Sequence, residues 1–161
     1  MSTVFTTIDT PVGTLLLAAS DGALTRVSFG RPDPSWRQVG AGPAPLTDAA
    51  GQLRAYLAGE RYGFDLPVRT AGTPFQERVW AALDEIPYGR TLTYGALAER
   101  VGAPRDRIRA VAAAVGANPL LVVRPCHRVV GADGALTGYA GGLPAKRHLL
   151  TVEGALQTAL F

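Results

Sequence analysis

The chain of 161 residues contains a single cysteine, Cys126, and a single lysine, Lys146. One cysteine excludes an intrachain disulfide and any cysteine-rich zinc site. A lone cysteine is most often a small buried apolar residue. One that has to react as a thiol must stay reduced, so a cytoplasmic setting is expected. Long apolar runs are also missing, and none approaches the ~18 residues that suggest a membrane span. The start, Met1-Ser2-Thr3-Val4-Phe5, lacks the basic and apolar stretches of a signal peptide. No internal repeat is visible. The basic residues are almost all arginine, which together with an excess of Ala, Gly and Pro fits codon bias in a GC-rich genome.

What is present is enough apolar sequence for a packed core, at 47% hydrophobic residues. The length suits one medium domain or two small ones. The net charge of +3 is unevenly placed, because residues 1–70 carry six basic and six acidic residues and cancel. Between positions 100 and 128, six arginines (Arg100, Arg105, Arg107, Arg109, Arg124 and Arg128) stand against Asp106 alone, a local +5 from 6 − 1. Such a cluster is either the footprint of a face that meets phosphates or a plain solvated basic surface.

The first part reads as β-rich. Strands are expected at 4–8, 14–19 and 23–29, separated by the Pro11-Val12-Gly13 and Ser20-Asp21-Gly22 turns. Residues 30–45 predict a loop, 46–58 a helix stopped at Gly59, and 63–72 a strand and linker. The second part opens on a capping box, with Thr73 at the cap, Pro74 at the first helical position and Gln76 closing the box. Phe75, Val79, Trp80 and Leu83 make that helix's apolar face. Thr93 predicts the cap of a helix reaching Val101, and Pro104 opens another over 104–115. Joined through Gly102-Ala103, the two read as a helix-turn-helix. A last helix is expected over 146–153. The domain boundary falls between 72 and 73, giving domains 1–72 and 73–161.

Three motifs follow one another in the second part: Asn118-Pro119, then Pro125-Cys126-His127-Arg128-Val129, then Gly138-Tyr139-Ala140-Gly141-Gly142. This ordered set resembles the active-site signature of the O6-alkylguanine-DNA alkyltransferases, closely over 73–154 and loosely before it. The resemblance implies an α+β protein. A small N-terminal α/β domain with an antiparallel sheet would precede a mostly helical, winged-helix-like domain carrying the helix-turn-helix and the cysteine. It implies DNA repair, in which O6-alkylguanine is flipped out of the duplex through the minor groove. The alkyl group then moves irreversibly onto Cys126, once per molecule. The implied partner is double-stranded DNA containing O6-alkylguanine, with O4-alkylthymine as a further lesion of open efficiency. The resemblance implies no cofactor, metal or membrane. It implies a monomer in solution and leaves clustering on DNA open.

Residue by residue, the resemblance makes Cys126 the nucleophile and His127 its activator through a water. It makes Glu153 the holder of the other imidazole nitrogen, and Asn118 a brace for the turns around the active-site strand. A free thiol with a pKa of about 8.5 needs such a base. Adjacency alone does not establish contact, since neighbours on a strand point to opposite faces. On DNA, Arg109 is the implied finger that fills the vacated stack, and Tyr94 crowds the neighbouring phosphate. Ala110 and Ala113 let their helix lie close in the minor groove. Arg105 and Arg107, at the start of that helix, are expected on phosphates. In the pocket, Tyr139 donates to the purine, and the carbonyls of Cys126 and Val129 accept from its exocyclic amine. Ala140 stands where serine is frequent, and Lys146 lies nearby with its role open. Arg128 is expected to be structural, pairing with an acid such as Asp133 or a backbone carbonyl, and His148 to sit on a helix surface without a role.

Taken singly, these residues have plainer readings: Arg109 as a surface arginine, Tyr94 as a core residue, Asn118-Pro119 as a turn, Glu153 as a helix-end cap. Ile108 and Ala112 bulk the finger's helix relative to the pattern, and Arg124 stands where an apolar residue usually precedes Pro-Cys. Three rival functions follow. An alkyltransferase-like binding protein is opposed by Cys126 itself. A sequence-specific regulator leaves the Cys-His-Glu set unexplained. A cysteine hydrolase requires steady turnover.

Overall fold

The computed structural model describes residues 2–40 and 42–156, the side chain of Arg105 excepted. The last five residues of the expected second domain lie outside these. The chain divides into two compact units, Met1–Thr70 with Pro119–Val123, and Ala71–Asn118 with Arg124–Phe161. A linear cut between 72 and 73 does not foresee that Pro119–Val123, just ahead of the cysteine motif, belongs with the first unit.

In the first unit, β1 (Val4–Thr10), β2 (Gly13–Ser20) and β3 (Ala23–Ser28) form an antiparallel meander. The short β4 (Arg37–Gln38) pairs parallel to β1, giving the order β3-β2-β1-β4. Asp21-Gly22 makes the second hairpin turn with φ of 52° and 77°. Positive φ at both central positions is the twist-matched two-residue turn that Asp-Gly favours. Residues 15–19 of the central β2 are all buried, as expected for a strand covered on both faces. Phe5, Leu16 and Ala18 cluster with Trp36 packed against them. α1 (Ala44–Leu57) lies on the sheet and buries Leu46, Ala49, Leu53, Tyr56 and Leu57.

The strand expected within 63–72 is reduced to one bridge, Leu24 to Val68. Leu24 donates to the Pro67 carbonyl at 2.7 Å and accepts from Arg69 N–H at 3.0 Å. Val27 does the same with the Pro119 carbonyl (2.9 Å) and Leu121 N–H (3.0 Å). Each short segment covers part of the β3 edge. Neither grows into a strand, because Pro67 and Pro119 have no N–H to extend a ladder.

The second unit begins with α2 (Pro74–Leu83) behind the expected capping box. Thr73 Oγ1 accepts from Gln76 N–H at 3.1 Å, and Gln76 Oε1 accepts from Thr73 N–H at 3.0 Å. Its buried face is Val79, Trp80, Ala82 and Leu83; Phe75 is only half-buried, beneath the Arg78 guanidinium at 5.4 Å. Trp80 Nε1–H donates to the Ala114 carbonyl at 2.8 Å, tying α2 to α4 (Ile108–Gly116). A Cβ on Gly72 would fall 2.5 Å from the Trp80 ring, so the close approach there requires glycine.

α3 (Tyr94–Arg100) is capped by Thr93, whose hydroxyl accepts from Ala96 N–H at 3.1 Å. The helix expected from Pro104 starts only at Ile108. Arg105–Arg107 form a 3-10 turn, which Arg107 N–H closes on the Pro104 carbonyl at 2.9 Å. β5 (Leu92–Thr93) and β6 (Val129–Val130) pair in parallel. α5 (Leu143–Val152) starts earlier than expected because Pro144 suits its first turn. Among the described residues, no helix is long and apolar enough to cross a membrane.

Candidate active site

The backbone reaches Cys126 through two tight turns. Val123 N–H donates to the Leu121 carbonyl at 2.7 Å, a γ-turn centred on Val122 with φ 69°. A β-branched residue in the left-handed region is strained, and Val122 is buried there. Cys126 N–H then donates to the Arg124 carbonyl at 2.7 Å across Pro125 (φ −80°, ψ 59°), an inverse γ-turn whose φ the proline ring presets. Cys126–Arg128 form a 3-10 turn leading into β6. The cysteine therefore sits on a turn and not on the expected strand, so strand alternation does not govern Cys126 and His127.

Cys126 is 4% exposed. Burial pushes its thiol up to about 11, against a hydrogen bond from Asn118 and the positive charge of Lys146, which both lower it. Asn118 also braces the preceding turn, its Nδ2 donating to the Arg124 carbonyl at 3.1 Å. His127 is fully buried, with Nε2 2.7 Å from Glu153 Oε2 and Nδ1 shielded and without a partner. Burial holds the imidazole well below its usual range, and the charges of Arg128 and Lys146 push the same way.

Glu153 caps the C-terminal end of α5 and gathers donors from three directions besides its own helix. Arg128 Nε reaches Oε1 at 2.8 Å, Arg128 Nη2 reaches Oε2 at 3.1 Å, and Gly89 N–H reaches Oε1 at 3.4 Å. Gly89 has φ 80°, and its Cβ position lies 3.2 Å from the Glu153 carbonyl, so glycine is what allows that turn so close. Burial raises the Glu153 carboxyl to about 7, and the Gly89 N–H lowers it.

Arg128 does not pair with Asp133, which is exposed. Its acid is Glu153, and its backbone acceptor is the Ile86 carbonyl at 2.6 Å. An acid and a backbone carbonyl are both there as expected, but the acid is not Asp133, because Arg128 lies on the 3-10 turn, which aims it at the end of α5 instead of along its own loop.

Lys146 is fully buried, with Nζ donating to the carbonyls of Val129 (2.6 Å), Thr137 (3.0 Å) and Gly138 (3.1 Å). Three carbonyl acceptors demand the three protons of an ammonium. Burial lowers its pKa, and the neighbouring Cys126 raises it. The Val129 carbonyl accepts from Lys146, and the Cys126 carbonyl from Val129 N–H. The Tyr139 hydroxyl is buried without a partner, and burial pushes that phenol well above its usual range. Tyr94 is half-buried, hydrogen-bonded to Thr137 and close enough to Cys126 for its charge to matter.

Residues 3–70 match the ribonuclease-like domain of 6-O-methylguanine DNA methyltransferase, and residues 74–155 match its DNA binding domain. The chain belongs to the 6-O-methylguanine DNA methyltransferase family. It is 47% identical over 151 residues to a methylated-DNA–protein-cysteine methyltransferase of Mycolicibacterium paratuberculosis, covering 92% of this chain and 91% of the relative. It is 41% identical over 156 residues to the constitutive enzyme of that name from Bacillus subtilis, covering 92% and 94%. Among solved structures, Mycobacterium tuberculosis OGT in complex with DNA matches with a TM-score of 0.85 and 44% identity, covering 94% of this chain and 93% of that one.

Several of the methyltransferase's remaining candidate residues lie on α4. Val111, Ala114 and Val115 are buried, while Ile108, Arg109 and Ala113 are exposed and Ala110 is half-buried. Arg107 is exposed at the cap of α4, one residue before the helix; the side chain of Arg105 lies outside the described residues. Ala140 is exposed. His148 is half-buried with Nε2 shielded and unpartnered, and does not stand on a helix surface as expected. Arg124 stands in place of an apolar residue with its guanidinium 5.8 Å from the Trp80 ring and its Nε paired with Asp84 at 3.4 Å, while its Nη1 is buried without a hydrogen-bond partner. Among the described residues, no three metal-ligating side chains gather in a cluster.

Proposed function

We propose that this protein repairs DNA by moving the alkyl group of O6-alkylguanine onto Cys126, one lesion per molecule. The observation that carries the reading is a buried thiol on a braced turn beside a buried His127–Glu153 pair, within a chain of this family. His127 shares its Nε2 proton with Glu153 and takes the Cys126 proton at Nδ1, through a bridging water. The sulfur then attacks the alkyl carbon. The S–C bond forms as the C–O bond breaks, the electron pair leaves on the purine, and one proton passes to it. Neutral guanine and an S-alkyl cysteine result. A thioether offers no carbonyl for a second attack, so the site is consumed.

The base has to leave the duplex first, at a cost of a few kcal/mol that is smaller for a poorly paired lesion. Arg109, exposed on α4, fills the vacated stack, and small Ala110 and Ala113 admit the helix to the minor groove. Arg105 and Arg107 hold phosphates. Tyr94 promotes rotation of the nucleotide, and Asn118 braces the active-site turn. Tyr139 donates to the flipped purine beside Ala140, while the Cys126 and Val129 carbonyls accept from its amine. We place the protein in the cytoplasm, acting as a monomer, with O4-alkylthymine as a secondary lesion.

The test is to mix the protein with duplex carrying O6-methylguanine and weigh it intact. One added methyl on the Cys126 peptide and at most one lesion repaired per molecule support the reading, and multiple turnovers overturn it. Cys126→Ala abolishes repair and still binds DNA.

A further inference from the structure

Arg128 takes no part in the transfer itself, yet its guanidinium is built around one carboxylate. Nε and Nη2 grip both oxygens of Glu153, at 2.8 and 3.1 Å. Nη1 is anchored on the Ile86 carbonyl at 2.6 Å, and the guanidinium face lies 5.6 Å from the centroid of the Tyr88 ring. Gly89, from the same turn as Ile86 and Tyr88, adds its N–H to Glu153 Oε1 at 3.4 Å. Arg128 is itself only 7% exposed, so water does not compete for these positions.

An ionised carboxylate has about four lone-pair sites, two on each oxygen. Oε1 is met by Arg128 Nε and Gly89 N–H, and Oε2 by Arg128 Nη2 and His127 Nε2. A guanidinium and a backbone N–H can only donate. These donors oppose a proton on the carboxyl, against the burial that raises it to about 7, and an ionised Glu153 so gripped takes its remaining bond from His127 Nε2 as donor. The imidazole proton is then on Nε2, and Nδ1, buried and unpartnered, is a bare base.

We infer that Arg128 is a positioning residue that keeps Glu153 an acceptor-only carboxylate and thereby locks His127 in the tautomer whose Nδ1 can take the Cys126 proton. The inference rests on the reading of Cys126 as the alkyl acceptor. The charged and titratable groups that face this relay are Cys126, Glu153, Arg128 and Lys146, with Tyr88 against the guanidinium and Tyr139 and Tyr94 toward the cysteine. Without the fork, the buried carboxyl is free to hold a proton, which it can lend to Nε2. The ring then carries its own proton on Nδ1 and cannot act as the base.

Two measurements test this. In the wild-type protein, ring-nitrogen NMR of 15N-labelled histidine should show His127 as the Nε2–H tautomer near neutral pH. A protonated Nδ1 in the neutral ring overturns the inference without reference to DNA repair. Separately, single-turnover transfer from the free base O6-methylguanine is followed against pH for wild type, Arg128→Met and Arg128→Lys. Arg128→Met should fall at least ~10-fold behind wild type at about pH 6.5 and close most of that gap by about pH 9, as Glu153 ionises again. Arg128→Lys, which keeps the charge and loses the fork, should lie between the two. A deficit of the same size at every pH, or none at any pH, overturns the inference. If Arg128→Met does not fold, the Lys variant and the wild-type tautomer decide. If wild type transfers nothing, the functional reading fails and the tautomer measurement still stands.

Discussion

Replacing Lys146 by methionine deletes one buried ammonium and leaves most of its stem volume in place. Two separable effects follow from where Nζ sits. The first is on stability. Nζ donates to Val129, a buried residue, and to Thr137 and Gly138, which are exposed. Water can replace the donor at the last two carbonyls, whereas the Val129 carbonyl is left unsatisfied inside the core. An orphaned buried acceptor costs about 1–3 kcal/mol, and the apolar Met side chain returns part of that, so a net loss of about 1–2 kcal/mol is expected in urea unfolding. The second is on reactivity. The Lys146 charge lowers the Cys126 thiol, which burial has already raised to about 11. Removing the charge raises it further, and each pKa unit is a factor of ten in thiolate, about 1.4 kcal/mol. Single-turnover methyl transfer near neutral pH should therefore slow by about tenfold or more, with the loss shrinking as pH rises. Lys146→Arg keeps the charge without the three-carbonyl fit, and should lose stability with less loss of rate. If Lys146→Met transfers within about twofold of wild type at every pH, the ammonium is not the counter-charge of the thiolate, and its role is confined to holding the 137–138 loop.

Arg107→Ala should weaken binding to all duplexes and flatten the log–log salt dependence by about 0.9 for each phosphate left without its cation. Arg109→Ala should instead slow transfer on duplex O6-methylguanine and spare the free base, and equal defects on both would remove the finger assignment. Gly72→Ala should cost about 1–3 kcal/mol of stability, because the added methyl overlaps a Trp80 ring pinned through its Nε1 to Ala114; an unchanged urea midpoint would mean that the ring yields. His127 is held neutral by burial, well below its usual 6.5. Below that pH the unfolded chain binds a proton at His127 that the folded chain does not, so the His127 contribution to stability falls by about 1.4 kcal/mol per unit until its folded pKa is reached, while Glu153, raised to about 7 from its ordinary 4.5, contributes in the opposite sense between those two values. Urea titrations through this acid range should show stability falling more steeply with acid in wild type than in His127→Gln, and equal slopes in both would show that other groups carry the acid response.

Features decided within a few residues were legible in the linear chain. The Thr73–Gln76 box, the Asp21-Gly22 turn and the Thr93 cap all form as expected, since each depends on hydrogen bonds between near neighbours. The cysteine motif identified the family for a similar reason, as most of its chemistry lies in one short run. Local reading failed at Pro67, whose missing N–H leaves a single bridge in place of the expected strand, and at the Pro104 segment, which forms a 3-10 turn before α4 begins. What only the tertiary structure decided is the pairing of buried charges. Arg128 meets Glu153 instead of Asp133, Lys146 meets three carbonyls and no acid, and Arg124 lies over Trp80 beside Asp84. A solvated charge is nearly indifferent to its neighbours, whereas a desolvated one must find partners among the groups that the packed helices and turns bring within reach. No spacing in the sequence encodes those groups, because they come from elements that become neighbours only when the core closes.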